Sequence, residues 1–195
     1  MFENFKRRSR FNQYNKVLNE PLNPISALTI VTVAHVDPKM NGYKADLTNS
    51  SFVTSIDTIA LFAFLSNLMI SQASVGQEKE KWFAKYYLDY ISKLGAFIFS
   101  VPANNIANYA LNRLVYLEDI YISSQDLEVL VSEYANLLHR DSIRKKYVPI
   151  ESGVQLTFSA IEHVQYHIGA TSLLPFYQAA IKPTIPDVIK LLQSI

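Results

Sequence analysis

Residues 77–100 read QEKEKWFAKYYLDYISKLGAFIFS, and their spacing decides the fold class. Phe83, Tyr86, Tyr87, Tyr90, Ile91, Leu94, Phe97 and Ile98 recur at intervals of three and four, the repeat of one helix face. Lys81, Lys85, Asp89 and Lys93 recur every four residues on another side, a spacing that allows Lys85–Asp89 and Asp89–Lys93 pairs. Pro102 ends or kinks this helix.

Working outward, the same period continues. Residues 103–121 place Ile106, Tyr109, Ala110, Leu114, Leu117, Ile120 and Tyr121 on one face. Ser123 followed by Asp126 resembles a capping box and predicts a new helix there, carrying Leu127, Leu130, Val131, Tyr134, Leu137 and Leu138. Ser152 opens a further helix with Val154, Phe158, Ile161, Val164 and Ile168 inward, and Val188 to Ile195 is a short last one. Upstream, residues 52–75 hold one charge, Asp57. So apolar a stretch is a buried central helix or a membrane span. Asp57, Asn67, Ser55 and Ser66 make it a poor span and favour the buried helix, with Asp57 near one end within reach of water. Residues 25–36 read two ways. Ile30-Val31-Thr32-Val33 suits a strand, whereas Asn23-Pro24 suits a helix start, and no partner strand is evident, so helix is the reading.

These segments predict an all-α fold, an antiparallel helical bundle of about six or seven helices. The expected organisation is a basic arm or helix over 1–24 and one helical domain over 25–195.

Composition narrows function by exclusion. The chain has 195 residues, no cysteine and 5 glycines. Thiolate nucleophiles, disulfides and Cys-bound zinc are thereby removed, and no glycine-rich phosphate loop occurs. Charged residues make up 18% against about 25% in an average domain. A surface this short of charge points to an interface, and a homo-oligomer, a dimer above all, is expected. A cytoplasmic setting suits the lack of cysteine, with membrane association as the alternative. A signal peptide fits poorly, because the charged region is long and Asp37-Pro38 follows the apolar run with no small-residue cleavage motif.

Three sets of residues carry functional expectations. Lys6, Arg7, Arg8 and Arg10, interleaved with Phe2, Phe5, Phe11 and Tyr14, suit contact with an anion, nucleic acid or lipid surface, or else form a terminus whose aromatics tuck onto the bundle. Trp82, Phe83, Tyr86 and Tyr90 suit an interface or an apolar pocket, although aromatics at this spacing more often form core. His163 and His167 lie one turn apart and could share a divalent metal, with a third ligand from His139, Glu133, Glu118 or Asp57. The plainer account places both histidines on the bundle rim.

His163 to His167, followed by Ile168-Gly169, resembles the His-x-x-x-His-x-Gly portion of DinB-like proteins over about seven residues. That resemblance implies a four-helix bundle in which such a pair joins an earlier histidine on a divalent metal. The stretch 52–75 has no histidine and offers Asp57. No motif names a cofactor or a reaction. The leading expectation is a helical interaction or regulatory protein, with a metal-dependent bundle enzyme and a peripheral nucleic-acid or membrane binder as alternatives.

Overall fold

The computed structural model describes residues 2–37, 40, 49–126, 130 and 176–195. Among these residues there are six α-helices and no strand: α1 (Phe2–Leu18), α2 (Pro24–Ala34), α3 (Asn49–Gln72), α4 (Gln77–Phe99), α5 (Ala103–Ser124) and α6 (Ile185–Ser194). A π-helical turn, Tyr177–Ile181, and a 3-10 turn, Lys182–Thr184, lead into α6.

The ambiguous stretch is helical. Asn23 Oδ1 accepts from the Ser26 N–H at 2.9 Å, and Ser26 Oγ accepts from the Asn23 N–H at 2.8 Å. Two of the amides that a helix start leaves unpaired are thereby satisfied, with Pro24 in the first turn where its missing N–H costs nothing. Thr29 and Thr32 donate to the carbonyls of Ile25 and Leu28, so their hydroxyls cost nothing in the core. Burial of Ile25, Leu28, Ile30 and Val33 outweighs the weak strand preference of the β-branched run.

α3, α4 and α5 form an up-down-up layer joined by short turns. Gly76 closes the first turn at φ 103, open to a residue without a Cβ. At the second turn Ser100 adopts a left-handed conformation, and its N–H donates to Ala96. α4 and α5 come close where Gly95 faces Ile106: a Cβ on Gly95 would lie 3.1 Å from Ile106 Cγ2. α3 and α5 run parallel, since Asp57 meets Tyr109 and, further along, Phe64 meets Tyr121. α1 packs antiparallel to α4, with Tyr14 beside Phe97 and Glu20 beside Tyr90. α6 packs on α2 and α3.

Tyr14, Leu18, Phe62, Phe83, Tyr87, Tyr90 and Leu192 belong to one core, so α1 shares its apolar contacts with the rest of the fold. Phe83, Tyr87, Tyr90, Ile91, Leu94 and Ile98 are the inward face of α4. Ile106, Tyr109, Ala110 and Leu117 are that of α5. Ser123 starts no helix: it lies in the last turn of α5 and donates to the Ile120 carbonyl, and Gln125 ends the helix in a left-handed conformation.

Candidate functional site

Among the described residues the fold buries Tyr14, Tyr87, Tyr90, Tyr109 and Tyr177, and a buried hydroxyl needs a partner, which all but Tyr177 have. Two of them build matching clusters. In the first, Arg10 and Tyr14, one turn apart on α1, converge on Asp37 beyond the end of α2. Arg10 Nε lies 2.7 Å from Asp37 Oδ2, and the Tyr14 hydroxyl donates to the same oxygen. The guanidinium also donates to Gln13 Oε1 at 2.9 Å and sits 4.3 Å above the Phe97 ring. In the second, Tyr109 and Arg113, again one turn apart but in the reverse order, converge on Asp57 of α3. Arg113 Nε is 2.8 Å and the Tyr109 hydroxyl 3.0 Å from Asp57 Oδ1. Arg113 donates to the Tyr109 oxygen as well.

Both tyrosine hydroxyls are pushed far above their ordinary pKa. Burial is the main cause, and Asp37 or Asp57 adds to it. A general acid needs its pKa brought toward the working pH, so these hydroxyls act as permanent donors and not as proton shuttles. The clusters pin helices: α1 to the end of α2 and to α4, and α3 to α5. Elsewhere in the core Tyr87 shares a 2.6 Å hydrogen bond with Thr32 and its hydroxyl is pushed up to about 12 by burial. His35 stacks on Phe176 at 3.9 Å and meets Phe62 edge-on, and burial lowers its pKa.

The sequence-predicted residues separate by direction. Lys6, Arg7 and Arg8 are exposed. Arg10 turns inward and is 7% exposed, so it leaves the surface set. Of its aromatic companions, Tyr14 is buried and Phe11 packs against the core, while the side chains of Phe2 and Phe5 lie outside those described. Of the aromatic group, Phe83 and Tyr90 are core, Tyr90 donating to Glu20, while Trp82 and Tyr86 stand at the surface with ring centroids 4.5 Å apart. Asp57 is no end-of-helix acid meeting water: it is buried against Arg113 and Tyr109. Glu118 is exposed on α5, and His139, Glu133, His163 and His167 lie outside the described residues. Among the described residues, no three acidic or histidine side chains gather to hold a metal.

Comparison with known protein families, curated proteins and solved structures finds no match. The remaining functional signals are surfaces. The outer side of α5 carries Leu111, Val115 and Ile122, which are 45%, 61% and 63% exposed. Sequence reasoning passed over this stripe because Glu118 and Asp119 interrupt it, although its spacing of four and seven is that of one helix face. Among the described residues, Ser55–Gln72 is long and apolar enough to cross a membrane, and 67% of that window is buried inside the protein.

Proposed function

We propose that this chain acts by association, as a helical interaction or regulatory protein whose first partner is a second copy of itself. The observation that supports this reading is α5, which is apolar on two opposite sides. One side, with Ile106, Tyr109 and Leu117, enters the core. The other, with Leu111, Val115 and Ile122, faces outward over twelve residues, or about 16 Å of helix. Leaving such a stripe in water forgoes burial that is favourable by roughly 25 cal/mol per Å². A two-fold pairing of the α5 stripes covers both at once and is the commonest solution among soluble assemblies. Trp82 and Tyr86 offer the aromatic anchors that interfaces favour. A stable contact of this kind buries at least about 1,000 Å² in total.

Light scattering at micromolar concentration tests the reading. The native chain is expected to give the mass of a dimer. The Val115→Glu, Ile122→Glu double variant is expected to give a folded monomer. A native chain that is strictly monomeric and binds no hydrophobic dye would overturn it.

A further inference from the structure

The outward side of α5 carries a repeat of its own. Asn104, Asn108, Leu111, Val115, Glu118 and Ile122 follow one another at alternating intervals of four and three, and all are exposed. At 3.6 residues per turn they stay within about 40° of one line along the helix. That is the spacing of a helix seamed to another helix. Ile106 and Leu117 point the opposite way, into the core. The single cation of α5, Arg113, is held by Asp57 on the inward side. The outward side therefore has acids, Glu118 and at its edge Asp119, and no base.

This charge pattern separates the ways in which the seam can meet its own copy. In a parallel pairing each residue lies level with itself, so Glu118 meets Glu118 of the partner subunit with no cation from either seam between them. An antiparallel pairing centred between Val115 and Glu118 joins Leu111 to Ile122 of the partner subunit. It also sets Glu118 against the partner's Val115, and the two Glu118 residues stand only about 5 Å apart along the seam. Centring the axis at the level of Arg113 removes both faults. Leu111 then packs on the partner's Val115, Ile122 lies over the partner's Asn104, and Glu118 faces the partner's Asn108. The two Glu118 residues are now about 15 Å apart. A side-chain amide has two N–H donors, and a bond from one of them to a carboxylate is strengthened by the charge. The two-fold axis makes every one of these contacts twice. We infer that α5 pairs antiparallel with its own copy about an axis at the level of Arg113, with Asn108 donating to Glu118 of the partner subunit at both ends of the seam. This rests on the dimer reading above and adds its direction and register.

The chain has no cysteine, so introduced thiols are the only ones present. Asn104→Cys and Ile122→Cys are made singly and also coexpressed, and dimers identified by light scattering are oxidised with copper phenanthroline. A disulfide needs Cα atoms within about 7 Å. The coexpressed chains are expected to give a dimer crosslinked from 104 to 122. Neither variant is expected to crosslink with itself, because like positions lie about 27 Å apart along the seam. Asn108→Asp sets a second carboxylate against the partner's Glu118, and is expected to raise the dimer dissociation constant about ten-fold in sedimentation equilibrium with the circular dichroism spectrum unchanged. Glu118→Asn in the same chain is expected to bring it back to within about three-fold of native. Within one chain the two positions are about 15 Å apart, so this rescue reports contact between subunits. A native dimer in which either cysteine variant crosslinks with its own copy overturns the inference and leaves the association reading standing. So does a native dimer in which the coexpressed pair stays uncrosslinked. Absence of the rescue overturns it as well, whether or not Ile122→Cys remains dimeric. A strictly monomeric native chain overturns both readings.

Discussion

Replacing Arg113 with methionine takes the cation away from Asp57 while keeping most of the side-chain volume. The Asp57 carboxylate is 2% exposed, so water does not take the guanidinium's place. Breaking a buried pair from one side costs about 3–5 kcal/mol, and the lower end applies here because Tyr109 still donates to the carboxylate. Asp57→Leu is milder, about 2 kcal/mol, because Arg113 keeps 19% of its surface and a route to water. With both replaced no charge remains buried at this site, and the cost falls to about 1 kcal/mol for the Tyr109 hydroxyl left without its acceptor. The double variant is thus expected to be more stable than Arg113→Met alone. Urea unfolding followed by circular dichroism, with equal denaturant slopes, measures all three. An Arg113→Met variant within 1 kcal/mol of the native chain, or a double variant as costly as the two singles together, would refute the reasoning.

Tyr14 and Tyr109 keep their protons in the fold well above the pH at which the unfolded chain loses them, and Tyr87 and Tyr177 are pushed up to about 12. Below about pH 10 their contribution is fully present; above it the unfolded state binds fewer protons, so stability falls by about 1.4 kcal/mol per pH unit for each. Absorbance at 295 nm is expected to show these tyrosinates forming only as helix is lost, and their full formation with helix retained would contradict this. His35 shifts the other way. Its folded pKa is lowered by burial, so stability present above about pH 6.5 is lost as pH falls, and His35→Phe is expected to flatten the melting temperature between pH 7.5 and 5. Gly95→Val is expected to cost about 2–3 kcal/mol by forcing α4 off Ile106, whereas Gly95→Ala stays within about 1 kcal/mol because helix propensity offsets the tight contact; thermal melts compare them. Trp82 is the chain's single tryptophan and is 36% exposed, so acrylamide is expected to quench it in the Val115→Glu, Ile122→Glu monomer at least as well as in the native chain, and weaker quenching in the monomer would contradict that.

The inward faces of α4 and α5 were legible in the sequence because burial along an isolated helix follows its own period: Phe83, Tyr87, Ile91 and Leu94 on one, Ile106, Tyr109 and Leu117 on the other. The start of α2 was legible because a cap is a contact between near neighbours, Asn23 and Ser26. The fate of Arg10 and Asp57 was not. Each acquires its environment from a residue far along the chain, Asp37 for one and Arg113 for the other, and no periodic pattern encodes such a pairing. Ser123 misled for a related reason. Its spacing to Asp126 matches a box, but whether the preceding helix has ended depends on the backbone of Gln125. For the aromatic group, period alone drew the face too wide, taking in Tyr86, which lies on the edge between core and surface.

The position of α6 has a consequence for the order in which the fold is completed. α3, α4 and α5 are joined by turns of a few residues, so they can pair as soon as they exist, and contacts of that kind form fastest. α6 instead covers α2 and α3, made much earlier in synthesis. Until Ile185, Val188 and Leu192 arrive, the apolar side chains they pack against on those two helices lack that cover. Closing this loop late adds only a logarithmic entropic cost, so the delay burdens the growing chain on the ribosome more than the finished protein.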